Sequence, residues 1–300
     1  MPSEQFKTPI LFLIFNRPKT TRIVFNRLKE LKPKYLFVSA DGARPDKPNE
    51  KEKCNLARSV IDDIDWDCEL KTNFSDVNLG CKNAVSSAIT WFFQNVNEGI
   101  ILEDDCLPDI SFFHFCESLL EKYRNDNRIM HIGGVNFQDG AKRGDGSYYF
   151  SKISHVWGWA TWKRAWDKYD VNITNLPEFV KQNAIANVYP NTKMQKYFLR
   201  DFNLVYKHQK DTWDFQWTFT LAVNNGLAII PNKNLVSNIG FGADATHTVL
   251  KSDSASNRPL DKIDTLVDPL FVIPNFKADL YTFKKYMKVS KFKKIIRFFS

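Results

Sequence analysis

Residues Gly99 to Asp109 read GIILEDDCLPD, and this stretch decides how the chain is built. A short apolar run ends in three consecutive carboxylates, Glu103, Asp104 and Asp105. A continuous apolar run describes a strand buried on both faces, and in open α/β sheets ligands gather just beyond the carboxyl ends of such strands. Three adjacent like charges repel, so a divalent cation or strong hydrogen bonding would help them coexist. Oxygen-only ligands suit hard ions such as Mg²⁺ or Mn²⁺. The position after a buried strand favours a binding site over a solvated acidic loop.

Working outward, the first half alternates strand and helix. ILFLIF (10–15) predicts a buried strand, Thr20 to Leu31 a helix and YLFVSA (35–40) a second strand. A helix over Glu50 to Ile61, a strand near Glu69 to Phe74, a helix over Asn83 to Phe93 and the strand before the triplet complete the run. Such alternation implies parallel strands with right-handed crossovers in a Rossmann-like sheet. The strand ends then carry Asn16 and Arg17, Asp41 and Gly42, Asn78 to Lys82, and Glu103 to Asp105, all facing one crevice. The first strand-to-helix turn is FNRPKTT, without the glycine-rich fingerprint of a dinucleotide or P-loop site, which argues against an NAD enzyme or a P-loop ATPase. An arginine in that turn can meet a diphosphate.

At 300 residues and 43% hydrophobic, the chain has ample material for a packed core. Lys and Arg number 42 against 34 Asp and Glu, a net charge of +8, which suits anionic partners without choosing among them. The five cysteines, Cys54, Cys68, Cys81, Cys106 and Cys116, are odd in number and lack CxxC spacing, so reduced thiols are expected. The leading MPSEQFKTPILFLIFNRP lacks a basic leader and cleavage site, and its apolar run is shorter than a membrane span, so a cytoplasmic location is expected.

Beyond Asp109 a helix through Phe112 to Tyr123 leads into RIMHIGG, then a Gly-, Lys- and Asp-rich loop, then HVWGWATWKRAW. Gly158 between Trp157 and Trp159 allows close backbone approach, and aromatic faces beside small residues make a floor for sugar rings. Residues 176–208 predict amphipathic helix. TWDFQWTFTLAVNNG opens another helix with Asp214 in its first turn, where flanking Trp213 and Trp217 would lower the local polarity around a base.

The order NRP, DG, EDD with a Phe-Phe helix, Gly-Trp, Trp-Asp-x-x-Trp and FGADATHT resembles metal-dependent GT-A glycosyltransferases. Within that class it is most similar to the N-acetylglucosaminyltransferase I family and bacterial surface-polysaccharide relatives. The resemblance covers roughly residues 8–248 and is strongest in LEDDCLPDISFFHFCESLLEKYRND. It implies a single catalytic domain over 1–250, with a nucleotide-binding half to about 137 and an acceptor-side half from 138, followed by an extension over 251–300. It also implies that Arg17 contacts the donor diphosphate, Asp41 the uracil or ribose, and Glu103 with Asp104 the sugar and ribose side. Lys82 and Trp159 are further donor-side candidates. Asp105 would bind Mn²⁺ or Mg²⁺, and His247 could reach that metal or a phosphate. Asp214 would be the general base of an inverting transfer from a UDP-sugar, N-acetylglucosamine being one candidate, to a glycan or lipid-linked acceptor. The family segment has two adjacent acids between its tryptophans, whereas this chain has Asp214, Phe215 and Gln216, which leaves Asp211 as the fallback.

The ending FKKYMKVSKFKKIIRFF predicts a basic amphipathic helix suited to an anionic inner-leaflet surface, each basic residue near the lipid contributing about 1 kcal/mol. Two other readings stand beside the transferase. A metal-dependent nucleotidyltransferase shares the sheet and the acidic ligands but needs a glycine-rich nucleotide loop. A non-catalytic nucleic-acid or membrane binder fits the basic tail but places EDD badly in a phosphate groove, so no nucleic-acid partner is expected.

Overall fold

In a computed structural model the chain is described over residues 5–240 and 255–287. The first half follows the alternation: β1 (Ile10–Ile14), α1 (Pro18–Leu31), β2 (Tyr35–Ala40), α2 (Glu50–Arg58), β3 (Glu69–Phe74), α3 (Gly80–Asn95) and β4 (Glu98–Glu103). Next come the short β5 (Cys106–Pro108), α4 (Ile110–Lys122), β6 (Ile129–Gly133), β7 (Tyr148–Ser151) and β8 (Trp159–Trp162). Helices α5 (Lys163–Trp166), α6 (Leu176–Lys181), α7 (Ile185–Val188), α8 (Thr192–Tyr206) and α9 (Asp214–Val223) follow, then β9 (Leu227–Pro231), β10 (Val236–Asn238) and α10 (Phe276–Thr282).

Eight strands form one sheet in the order β3-β2-β1-β4-β8-β6-β9-β7. The β3-β2-β1-β4 half is parallel throughout, and β6 pairs β9 in parallel. The exceptions are β8, antiparallel between β4 and β6, and β7 at the edge. The mostly parallel, helix-flanked α/β sheet expected from the sequence is therefore present, with one strand reversed at its centre. Alternate side chains serve opposite faces. Phe12, Val38 and Leu102 pack with Phe25, Phe112 and Leu119 on one side, while Leu11, Phe37 and Ile101 pack with Phe92, Trp159 and Trp217 on the other.

The helical region expected over 176–208 is present as three helices. Asn183 adopts a left-handed φ of 51° after α6, and Asn191 caps α8 by accepting from the Lys193 and Met194 amides. An asparagine tolerates that φ, and its side chain competes with helix hydrogen bonds, so it divides the helical region. Phe179, Phe198, Phe202 and Phe219 still join these helices in one cluster.

The described part of the C-terminal extension belongs to the same body. The Asn275 amide donates to the Phe150 carbonyl at 2.7 Å, and buried Asp279 accepts from the Ser151 hydroxyl at 2.5 Å and the Lys152 amide at 3.0 Å. Among the described residues no helix is long and apolar enough to cross a membrane, and each of the five cysteines is free.

Candidate active site

The carboxyl ends of β1, β2 and β4 open into a cavity of about 330 Å³ whose lining includes Phe15, Arg17, Asp41, Asn78, Glu103, Asp104, Asp105, Trp157 and Asp211. Sequence-distant carboxylates thus share one space because parallel strands end on the same side.

Arg17 stands where β1 passes into α1, with Pro18 opening the helix. Its guanidinium reaches across to β4. Nη2 donates to Asp104 Oδ1 at 2.5 Å and Nη1 to Asp105 Oδ2 at 2.6 Å. Burial alone would lower the arginine's pKa, but the charges of Asp104 and Asp105 outweigh it and hold the group firmly protonated. Asp104 is 2% exposed, and its second oxygen accepts from the Phe15 amide at 3.1 Å. Burial pushes its carboxyl up to about 6 against the opposing pull of Arg17. Glu103 is pushed further, to about 8, by burial and then by the charge of Asp105. The neighbouring carboxylates add to the rise that burial causes, and the Arg17 guanidinium opposes it.

The triplet is framed by a two-stranded sheet in which β10 pairs with β5, so the Ile239 amide donates to the Asp105 carbonyl at 2.8 Å. Gly240 then passes so close that a Cβ there would stand 2.2 Å from Asp105 Oδ2 and 2.7 Å from Arg17 Nη1. A side chain there would force the ion pair to shift. Sequence reading missed Asn238, Gly240 and this framing, since nothing local links residues 236–240 to 105–108.

Asp41 serves the cavity wall. Its carboxylate accepts from the amides of Gly42, Leu79 and Gly80 and from Asn78 Nδ2, at 2.8 to 3.2 Å. Burial raises its pKa, and those backbone bonds pull against the rise. Two oxygens with about four acceptor sites are fully engaged, so in this state Asp41 pins the 78–80 turn. Arg44, another lining residue the sequence reading did not select, is held by Glu50, which accepts from the Arg44 amide at 2.7 Å and from its Nη2 at 2.5 Å. Those bonds, the side-chain one foremost, hold the Glu50 carboxyl down at about 2.

Trp159 requires correction. The donor-side role expected for it fails on burial, for its side chain has no exposed surface. It stacks on His131 at 5.1 Å and on Trp213 at 5.7 Å, with Trp217 at 5.5 Å. Residues 159–162 form a central strand with every side chain buried, so the aromatic block packs as core. Trp157, two residues earlier, lines the cavity. Gly158 adopts φ +63°, and a Cβ there would meet Val236 Cγ2 at 2.7 Å, which gives the close approach read from the sequence a structural purpose.

The remaining candidates divide. Lys82 lies in the first turn of α3 outside the cavity lining. Asp211 lines the cavity and accepts from the Lys82 amide at 3.2 Å. Asp214 opens α9 outside the lining, accepting from the Thr212 hydroxyl, yet its charge contributes to raising Glu103. His247 lies outside the described residues.

The residues suit a metal ion only in a particular way. Among the described residues no three His, Cys, Asp or Glu side chains form a ready-made cage, and Asp104 has both oxygens engaged. Asp105 gives Oδ2 to Arg17 and meets only the weak Cys106 thiol at 3.5 Å through Oδ1, so it and Glu103 remain as hard oxygen donors at the cavity. One or two carboxylates plus substrate phosphates is the usual complement for Mg²⁺-like ions, so the donor set fits an ion that arrives with a diphosphate.

No protein-family model matches the chain, and no curated protein matches it. Solved structures it is similar to include mouse xyloside xylosyltransferase 1 in its apo form, at 11% identity over 72% of this chain and 81% of that one, with a TM-score of 0.38. An apo UDP-glucose pyrophosphorylase aligns at 7% identity over 76% and 93%, TM-score 0.36. HddC from Yersinia pseudotuberculosis aligns at 11% identity over 54% and 80%, TM-score 0.32. At such scores these likenesses carry no functional weight. Fold and cavity define a mixed α/β protein with an acidic, arginine-bridged cleft at its strand ends.

Proposed function

We propose that the chain is an inverting, metal-dependent glycosyltransferase that moves a sugar, N-acetylglucosamine being one candidate, from a UDP-sugar to a hydroxyl of a glycan or lipid-linked acceptor. The observation that carries this reading is the convergence of Arg17 with Glu103, Asp104 and Asp105 at the ends of β1 and β4, in a cavity with Asp211 on its wall. A cationic side chain at the ends of β1 and β4 suits a nucleoside diphosphate, whose phosphates take an arginine bidentately. Mn²⁺ or Mg²⁺, held by Asp105 with Glu103 adjacent, would supply stabilisation of the charge on the departing diphosphate. Trp157 offers an aromatic face for the donor side, and Asp41 keeps the 78–80 turn in place. The general base is assigned to Asp214 with Asp211 as the alternative. Either takes the acceptor proton as the acceptor oxygen attacks the anomeric carbon and the diphosphate leaves.

The test offers a panel of UDP-sugars with Mn²⁺ or EDTA and measures UDP release. The expected result is turnover that Asp105→Asn and EDTA both remove. Turnover indifferent to both refutes the reading, and pyrophosphate release from UTP with a sugar 1-phosphate replaces it with nucleotidyl transfer. Asp214→Asn should abolish transfer with UDP affinity retained. Full turnover in that variant, with loss in Asp211→Asn, moves the base to Asp211.

A further inference from the structure

Away from the cavity, the segment 266–276, LVDPLFVIPNF, presents large apolar side chains to water. Leu270 is 80% exposed, Phe271 70% and Ile273 65%, with Val267 and Phe276 also exposed. The segment is fastened while its side chains are not. The Ser147 amide donates to the Val267 carbonyl at 2.7 Å, the Leu270 amide to Asp145 Oδ2 at 3.4 Å, and Pro274 bridges to Phe150 on β7. Val272 turns inward against the main core, leaving Phe271 and Ile273 outward on either side of it. Apolar clusters of this kind on a soluble surface mark interaction sites.

The neighbouring charges indicate the partner. The acidic residues are engaged internally, Asp268 with Lys122 and the Tyr148 hydroxyl, and Asp145 with the loop backbone. Lys277 and Lys284 are exposed on the helical stretch that follows, and Lys285 beside them is paired with Asp139. Further along, the sequence adds Lys288, Lys291, Lys293, Lys294 and Arg297 among Phe292, Ile295, Ile296, Phe298 and Phe299. Phe276 and Lys277 also wall a second cavity of about 300 Å³ lined by Tyr189, Pro190, Met194 and Leu280, which continues the apolar surface. A fixed apolar wedge followed by a polybasic stretch is the two-signal combination that anchors a protein stably to a bilayer.

We infer that Leu270, Phe271 and Ile273 form a wedge that enters an anionic bilayer, with Lys277 and Lys284 on the headgroups. The inference is independent of the transferase reading, since vesicle binding needs neither donor nor turnover. The experiment floats the full chain with phosphatidylcholine vesicles and with vesicles carrying 30% phosphatidylglycerol, at 0.15 M salt. Binding to the anionic vesicles alone is expected. Leu270→Ser/Phe271→Ser/Ile273→Ser should lower it at least tenfold with thermal midpoint and elution volume unchanged. Lys277→Glu/Lys284→Glu should lower it and weaken its salt dependence. Absence of wild-type binding, or full binding by the triple variant, overturns the inference. A wild-type dimer that the triple variant splits, with no vesicle binding, assigns the surface to a second copy and overturns it equally.

Discussion

Replacing Arg17 with methionine removes the cation between two carboxylates while keeping most of the side-chain volume. Asp104 is 2% exposed and would keep only the Phe15 amide as a partner. With charge centres about 4 Å apart and an effective dielectric constant near 20, each lost attraction amounts to roughly 4 kcal/mol before solvent and relaxation reduce it. Breaking a buried pair by removing one partner costs about 3–5 kcal/mol, because an uncompensated charge stays inside. In a domain near this size each kcal/mol moves the midpoint by about 2–4 °C, so Arg17→Met should melt roughly 6–20 °C below wild type. Differential scanning calorimetry at pH 7 measures this directly. Adding Asp104→Asn to that background removes the stranded charge while an amide oxygen still accepts from Phe15, and should restore at least about 1 kcal/mol. A single variant melting within 2 °C of wild type would refute the account, for it would mean that Asp104 does not depend on Arg17.

Gly240→Ala places a methyl 2.2 Å from Asp105 Oδ2; UDP affinity by calorimetry should fall at least tenfold, and unchanged affinity would show that the 238–240 turn yields freely. Burial pushes His131 down to about 3, so the folded state refuses a proton that the unfolded state takes below about pH 6.5. Its contribution is present above that pH and is lost as pH falls, so between pH 6.5 and 5 wild type should lose about 2 kcal/mol more than His131→Gln in urea melts, and parallel pH profiles would contradict this. Trp157→Ala should weaken donor binding, whereas Trp159→Ala should lower the thermal midpoint by the several degrees of a large-to-small core change and lower kcat more than donor affinity; the reverse pattern in steady-state kinetics would put Trp159 in contact with the donor. In Arg17→Met, millimolar Mn²⁺ should raise the midpoint more than in wild type, because Asp105 is released from its partner, and equal shifts would argue against a cation at Asp105.

The N-terminal half was legible because its signals are local. ILFLI and GIILE are apolar runs of strand length bounded by turns, which is how a parallel strand buried on both faces reads. Positions of Arg17, Asp41 and the triplet followed directly, since strand ends in such a sheet point one way. What escaped depends on contacts between distant segments. Nothing near WATW says that it enters the sheet antiparallel between β4 and β6, and its tryptophans satisfy a sugar-platform pattern and a core pattern equally. The engagement of Asp41 by the 78–80 turn and the steric need for Gly240 are likewise visible only once the β10–β5 pair has formed.

The two acids beyond residue 210 take different roles from the same physical facts. Asp211 accepts from the Lys82 amide, and a Cβ on Gly80 would touch its Oδ2 at 3.3 Å, so its carboxylate is committed to the turn that Asp41 holds from the other side. Asp214 accepts from the neighbouring Thr212 hydroxyl and stands in the first turn of α9. Its location is set by what lies beneath. Trp213 stacks on Trp159, Trp217 leans on the same ring and donates to His131 Nδ1 at 3.2 Å, and His131 Nε2 in turn meets the His155 carbonyl at 3.1 Å. Trp217 donates a hydrogen bond to Nδ1, so Nδ1 is the acceptor nitrogen, Nε2 carries the imidazole hydrogen and the ring stays neutral. A rigid, uncharged aromatic stack therefore fixes the start of α9 against the central strand. Trp159 acts on the proposed chemistry through that stack: it has no surface on which to meet a sugar, but it determines where the Asp214 carboxylate can stand.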